Sequence, residues 1–112
     1  MKLPNAENAV IDRAKIFGYL LDAKHSDNGG KAEFFDQFGF RQAEWQVLAS
    51  ALLKLARTAE VSRQCNSPHG QKYVITGQIE TPVGNPVFVQ TIWIVDNGAK
   101  KARLVTAYPY LD

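Results

Sequence analysis

The sequence predicts an α+β fold, N-terminal helices packed on a C-terminal antiparallel sheet of three to four strands, on three observations. Residues 41–58, RQAEWQVLASALLKLART, repeat apolar side chains at helical spacing. Residues 72–109 are runs of β-branched and aromatic residues split by two short turn-forming links. The helical and strand patterns follow one another and do not interleave, which separates α+β from α/β. At 112 residues one domain over 1–112 is expected, long enough to bury a core.

The lead-in, LPNAENAVID, is too short for a helix of its own and is expected to be extended. Asp12 suits the N-cap of a short helix over 13–22, with Ile16, Tyr19 and Leu20 on one face. HSDNGG concentrates turn formers and ends that helix. A second helix is expected over 31–38, closed by Gly39 in the left-handed conformation. In the long helix Trp45, Leu48, Leu52 and Leu55 form one stripe, while Glu44, Lys54 and Arg57 lie off it.

Residues 59–70, AEVSRQCNSPHG, read as a loop with room for a short edge strand near Val61. KYVITGQIE, PVFVQTIWIV and KARLVTAYP are then three strands joined by TPVGN and DNGAK. The middle strand is apolar on both parities: Val87, Val89 and Trp93 on one, Phe88, Ile92 and Ile94 on the other. That pattern predicts a central strand at least partly covered on both faces.

Composition removes several function classes. Hydrophobic residues at 46% and charged residues at 21% describe a globular chain and not a disordered tail. The net charge of +2 makes no strong case for nucleic acid. Residues 1–53 carry six Lys/Arg against seven Asp/Glu, and 54–112 carry seven against four, so the second half is mildly basic. A single cysteine, Cys65, precludes an internal disulfide and makes the reducing cytoplasm the expected compartment. No apolar run approaches the roughly 20 residues that span a bilayer, and the N-terminus lacks the apolar centre of a secretory signal, so no membrane association is expected.

Candidate chemistry begins with KHSDNGGKAEFF, residues 24–35. Its Gly30-Lys31 is followed by Ala32, and His25 stands where a phosphate loop has its first glycine, so a nucleotide-hydrolase loop is excluded. A helix start with Lys31 beside it still attracts anions; the alternative is a tight turn with a solvated lysine. His25 and His69 lie in loops without partners at metal-ligand spacing, and Cys65 with His69 supplies only two ligands, so neither metal nor cofactor is expected. Lys72 and Tyr73 open a strand just after His69, a combination that suits a phosphodiester. Thr91 is the polar exception in its apolar run, and Thr106 and Tyr108 share a face by alternation. These three hydroxyls either line a polar strip on the sheet face free of helices or are ordinary strand residues.

LPNAENAVID, then YLLDAKHSDNGGKAEFFDQFGF, then HGQKYVITG, TIWIV and a closing RLVTAYP resemble, in order and from end to end, a small bacterial family of unknown function. Helices followed by a small antiparallel sheet closed by VTAYP are also similar to compact ribonuclease toxins of the barnase, colicin and RelE-like group, domains met at the ends of polymorphic toxins. The chain departs from its relatives at Gly30, where a second basic or histidine residue often precedes the KA pair. The resemblance implies a metal-independent endoribonuclease or toxin-like relative acting on RNA. In that reading His25 or His69 is the acid/base, Lys31, Lys72 and Arg103 hold phosphate, and Thr91, Thr106 and Tyr108 donate hydrogen bonds. The other reading is a non-catalytic module, an immunity- or antitoxin-type protein bound to a small cognate partner.

Overall fold

The computed structural model describes residues 1–110. Residues 111–112 of the expected domain lie outside the described residues. The lead-in is not wholly extended: Ala6–Asn8 form a 3₁₀ turn. Beyond it Val10 bridges in parallel to Arg103, with its N–H donating to the Ala102 carbonyl at 3.0 Å and its carbonyl accepting from Leu104 at 3.2 Å. The start of the chain thus pairs with the beginning of the last strand's free edge.

The first helix departs from expectation. α1 (Arg13–Lys15) runs directly into a π-helical segment, Ile16–Leu20. The Leu21 N–H donates to the Ile16 carbonyl at 2.9 Å, the i to i+5 bond of a π turn. Ile16 and Leu20 are fully buried. The helix stops before Asp22 because the Asn28 amide takes the Tyr19 and Leu20 carbonyls, at 2.5 and 3.4 Å.

α2 spans Lys31–Gln37 and buries Ala32 and Phe35. Gly39 closes it with φ 92°, as its position predicted, and packs against the side chains of Pro82 and Val83. A 3₁₀ turn at Gln42–Glu44 leads into α3, Trp45–Thr58. Its buried seam is Leu48, Ala49, Leu52, Leu55 and Ala56, while Trp45 is only partly covered.

The sheet is a meander of four antiparallel strands in the order β1 (Arg63–Ser67), β2 (Gly70–Ile79), β3 (Val87–Asp96) and β4 (Arg103–Pro109). The edge strand expected near Val61 lies instead at β1, inside the stretch read as a loop. β1 is polar and exposed for most of its length, so it has no apolar alternation to announce it. Val61 donates its N–H to the Met1 carbonyl at 2.7 Å. The β1–β2 turn is tied by Ser67 Oγ, which accepts from the Gly70 N–H at 3.2 Å and donates to the Gly70 carbonyl at 2.7 Å.

One face of the sheet meets the helices. Tyr73, Ile75 and Ile79 of β2, Val89 and Trp93 of β3, and Leu104 and Ala107 of β4 share one buried cluster with Ile16, Leu20, Phe35 and the α3 seam. α3 crosses directly over β2 because Gly77 has no side chain; a Cβ there would stand 2.7 Å from Leu55 Cδ1. The other face lies outside the main cluster but is partly covered, as the two-sided apolar pattern of β3 predicted. Val74 and Ile94 are buried there outside the main cluster, and Phe88 is half exposed.

Thr91 lies on the helix-covered face and is fully buried. Its hydroxyl donates to the Ile75 carbonyl at 2.8 Å and accepts from Trp93 Nε1 at 2.9 Å. Thr91→Val is expected to strand the Trp93 N–H and to lower stability by about 1–3 kcal/mol, read as a shift of the denaturant midpoint at constant m-value.

Candidate functional site

The site is assembled on β4 by one irregularity. Ile94 pairs with Arg103 and Trp93 with Leu104, but Ile92 pairs with Thr106, so Val105 is an extra residue in a β-bulge. Strict alternation would put Arg103 on the face opposite Thr106 and Tyr108. The bulge resets the parity, and all three face away from the helices while Leu104 and Ala107 remain in the core. Along this open face the cross-strand rows are Lys72, Ile94 and Arg103; then Val74, Ile92 and Thr106; then Thr76, Gln90 and Tyr108.

At the β4 edge of that face the π-helical segment delivers Tyr19. Its hydroxyl is 3.3 Å from Thr106 Oγ1. The His25 ring stands edge-on to the Tyr19 ring with centroids 5.1 Å apart. Lys15 Nζ and Lys31 Nζ lie 5.7 and 5.6 Å from the centre of the same ring, within reach of its negative face. An open cleft of about 580 Å³ is lined here by Ala14, Lys15, Gly18, Tyr19, His25, Asp27, Val105 and Thr106. Gly18 keeps its floor open, since nothing lies within 4 Å of where a Cβ would be.

His25 Nδ1 accepts the Asp27 N–H at 3.0 Å. The neutral ring therefore carries its proton on Nε2 and is a donor there. Asn28 organises the loop from within. Its Oδ1 accepts the Ala32 N–H at 2.8 Å, its amide holds the end of the π-helical segment, and its carbonyl accepts from Lys31 Nζ at 3.1 Å. Of the two alternatives at the start of α2, an anion site or a tight turn, the same contacts favour the turn. The Lys31 and Ala32 N–H groups are already spent on Asn28, and α2 has only seven residues.

The remaining sequence candidates lie elsewhere. Tyr108 shares the open face but bonds Gln90, which lies 3.4 Å from Thr76 Oγ1. His69 is exposed on the β1–β2 turn, where its carbonyl accepts the Asn97 N–H at 2.9 Å, and it does not line the cleft. The two histidines thus belong to different parts of the molecule. Thr91 is walled off in the core and has no path to a ligand. Among the described residues no group of three or more His, Cys, Asp or Glu converges as a metal site would require, and no helix is long and apolar enough to cross a membrane. A larger groove of about 870 Å³ between α3 and the β2–β3 turn contains none of the candidates. Lys15, Tyr19 and Asp27 were not singled out for chemistry by the sequence. Tyr19 read as part of a core stripe, and a π turn leaves no periodic signal that would turn it outward.

Arg103 is held at the far end of the face by Asp96, with Nε and Nη2 at 2.7 and 2.9 Å from the two carboxylate oxygens. These hydrogen bonds hold the Asp96 carboxyl below its usual range and raise Arg103 above its own. A depressed carboxylate contributes stability that is complete above its unfolded-state pKa of about 4 and is lost as pH falls through the folded-state value. Asp96→Asn is expected to flatten the acid limb of a stability–pH profile below about pH 4. At neutral pH it should lower stability by the same amount that the wild type loses along that limb, which is small because the pair is exposed to solvent. Tyr19→Phe, which removes only the hydroxyl facing Thr106, is expected to shift stability by less than about 1 kcal/mol in urea denaturation.

No curated protein matches the chain. Among solved structures it is similar to a chain of a contact-dependent growth inhibition toxin–immunity protein complex from Klebsiella pneumoniae 342. The TM-score is 0.73 at 15% identity, covering 90% of this chain and 99% of that one. At that identity the likeness establishes the shared fold. Residues 2–111 match the family model described as domain of unknown function (DUF6883), and the chain belongs to that family.

Proposed function

We propose that the protein is a metal-independent, toxin-like endoribonuclease whose reaction centre is the cleft at the β4 edge. The observation that carries this reading is the meeting of an imidazole, a carboxylate, a phenol, a hydroxyl and an ammonium group around one open cleft, His25, Asp27, Tyr19, Thr106 and Lys15, with the Lys31 ammonium beside the Tyr19 ring. Asp27 takes the proton of a ribose 2′-hydroxyl, whose oxygen then bonds to the adjacent phosphorus. The P–O5′ bond breaks, giving a 2′,3′-cyclic phosphate and a 5′-hydroxyl. His25 supplies the proton for the leaving oxygen from its imidazolium form. Forming that species places a second proton on Nδ1 and displaces the Asp27 N–H now bonded there.

Lys15 and Lys31 offset the charge gathered on the phosphoryl oxygens, and Tyr19 and Thr106 donate hydrogen bonds to them. Lys72, Arg103 and Tyr108 lie along the open face outside the cleft and serve the flanking strand of RNA; His69 has no part in the chemistry. RNA as substrate places the action in the cytoplasm. The toxin–immunity complex with the same fold supports the reading as an analogy of architecture.

His25→Ala is expected to lower RNA cleavage by about 100-fold or more, and Lys15→Ala/Lys31→Ala to weaken it more at high salt than at low. His69→Ala should leave it within twofold. Equal cleavage by wild type and His25→Ala would reject the assignment. Absence of cleavage on any RNA, together with harmless expression, would reject the enzyme.

A second reading, an immunity- or antitoxin-type partner, is favoured by the fact that the similar structure is a complex of a toxin with its immunity protein. Co-purification with the product of a neighbouring gene, with no nuclease activity in either protein alone or together, is the outcome that supports it.

A further inference from the structure

The open sheet face does not end at Tyr108. One row further, the Tyr110 N–H donates to the Phe88 carbonyl at 3.1 Å, and Phe88 pairs on its other side with Gln78. Phe88 is 50% exposed and Tyr110 40% exposed, two aromatic side chains adjacent across the strands. Phe88 shares the parity of Gln90 and Ile92, opposite to the buried Val89 and Thr91, so its ring stands on the same face as Thr106 and Tyr108. Phe88 is the second residue of β3, and with Tyr110 it leaves a pair of exposed aromatic side chains at that end of the face.

Charge is arranged along the same axis. Lys72 and Arg103 share the row at the opposite end of the face, Arg63 lies across the sheet in the row of Thr106, and Lys15 and Lys31 stand beside Tyr19 at the cleft. The acids near this track include Asp27 at the cleft, Asp96, which is engaged with Arg103, Asp12, whose charge also acts on Arg103, and Glu80 just past the end of β2. Cations at one end and level with the cleft, and aromatic and amide side chains with no cation in their row at the other, match a single strand of nucleic acid, whose phosphates and bases need different partners. A protein partner would be met equally well by aromatic residues, but it gives no reason for this segregation.

We infer that Phe88, with Tyr110 beside it, is a base-stacking subsite for single-stranded RNA, separate from the cleft and reached only by a strand that extends beyond the nucleotides bound there. This rests on the RNA reading of the cleft. Phe88 is four residues from Ile92, the partner of Thr106, or about 13 Å along the strand. A dinucleotide seated at Thr106 falls short of it, whereas a hexanucleotide spans the distance. Gln78 and Gln90 flank the ring and can bond base edges, while stacking itself accepts any base.

The test uses the full chain with uncleavable 2′-O-methyl oligonucleotides of two and six residues, binding being read by fluorescence anisotropy. The unmodified oligonucleotides are assayed for cleavage in parallel. The hexanucleotide is expected to bind at least tenfold more tightly than the dinucleotide. Phe88→Ala should reduce that ratio about tenfold and Phe88→Trp restore it, with unchanged circular dichroism in both variants. If wild type cleaves RNA but Phe88→Ala keeps the full ratio, the stacking subsite is wrong and the cleft reading stands. If wild type neither binds nor cleaves either oligonucleotide, both fail. If Phe88→Ala abolishes capture of a cognate protein while the RNA ratio is unchanged, the patch belongs to a protein interface and the inference is overturned.

Discussion

The bulge at Val105 is the constraint on which both halves of the molecule depend. A side chain in a strand has only two faces available, and β4 must satisfy demands on each. Leu104 and Ala107 have to meet Trp93 and Thr91 beneath the helices, yet they are three residues apart and would fall on opposite faces of a regular strand. One extra residue between them reconciles the two core contacts. It also sends Arg103, Thr106 and Tyr108 to the same open face, so a packing requirement decides which polar side chains line that face.

The core side of this arrangement is kept in register by a polar pair. Thr91 joins the β2 backbone to the indole of Trp93, and neither side chain leaves a buried polar atom without a partner. Such a pair costs a good deal if either member is removed, because desolvation of the survivor is no longer offset. It fixes how β3 sits against its neighbours, and through them where the bulged strand presents Thr106.

On the cleft side the equivalent role falls to Asn28, a buried amide in an exposed loop. It closes the π-helical segment and opens α2 with the same side chain. The tyrosine carried by one of these elements and the lysine carried by the other are thereby held around one ring, with His25 on the intervening turn. The HSDNGG stretch is therefore a turn that ties the π-helical segment to α2 and not a phosphate loop. Gly30, with φ 87°, serves the turn into α2 and leaves the second cation beside Tyr19 to come from Lys15 on the preceding helix.

Local periodicity and turn chemistry were enough to establish the α+β order, the long helix with its Leu48, Leu52 and Leu55 seam, the three apolar strands and the left-handed Gly39. Those features are written into spacings of a few residues, and burial of the same residues enforces them. The polar edge strand β1 escaped because its pairing comes from β2 and not from its own side chains. His25, Lys31 and Thr106 were legible as chemical types, but their meeting was not. Their common partner is Tyr19, whose placement follows from a π turn, and the face that Thr106 shares with Arg103 follows from a bulge. Both irregularities are single-residue shifts with no period of their own. They arise where separate elements must pack together, so only the tertiary structure decides them.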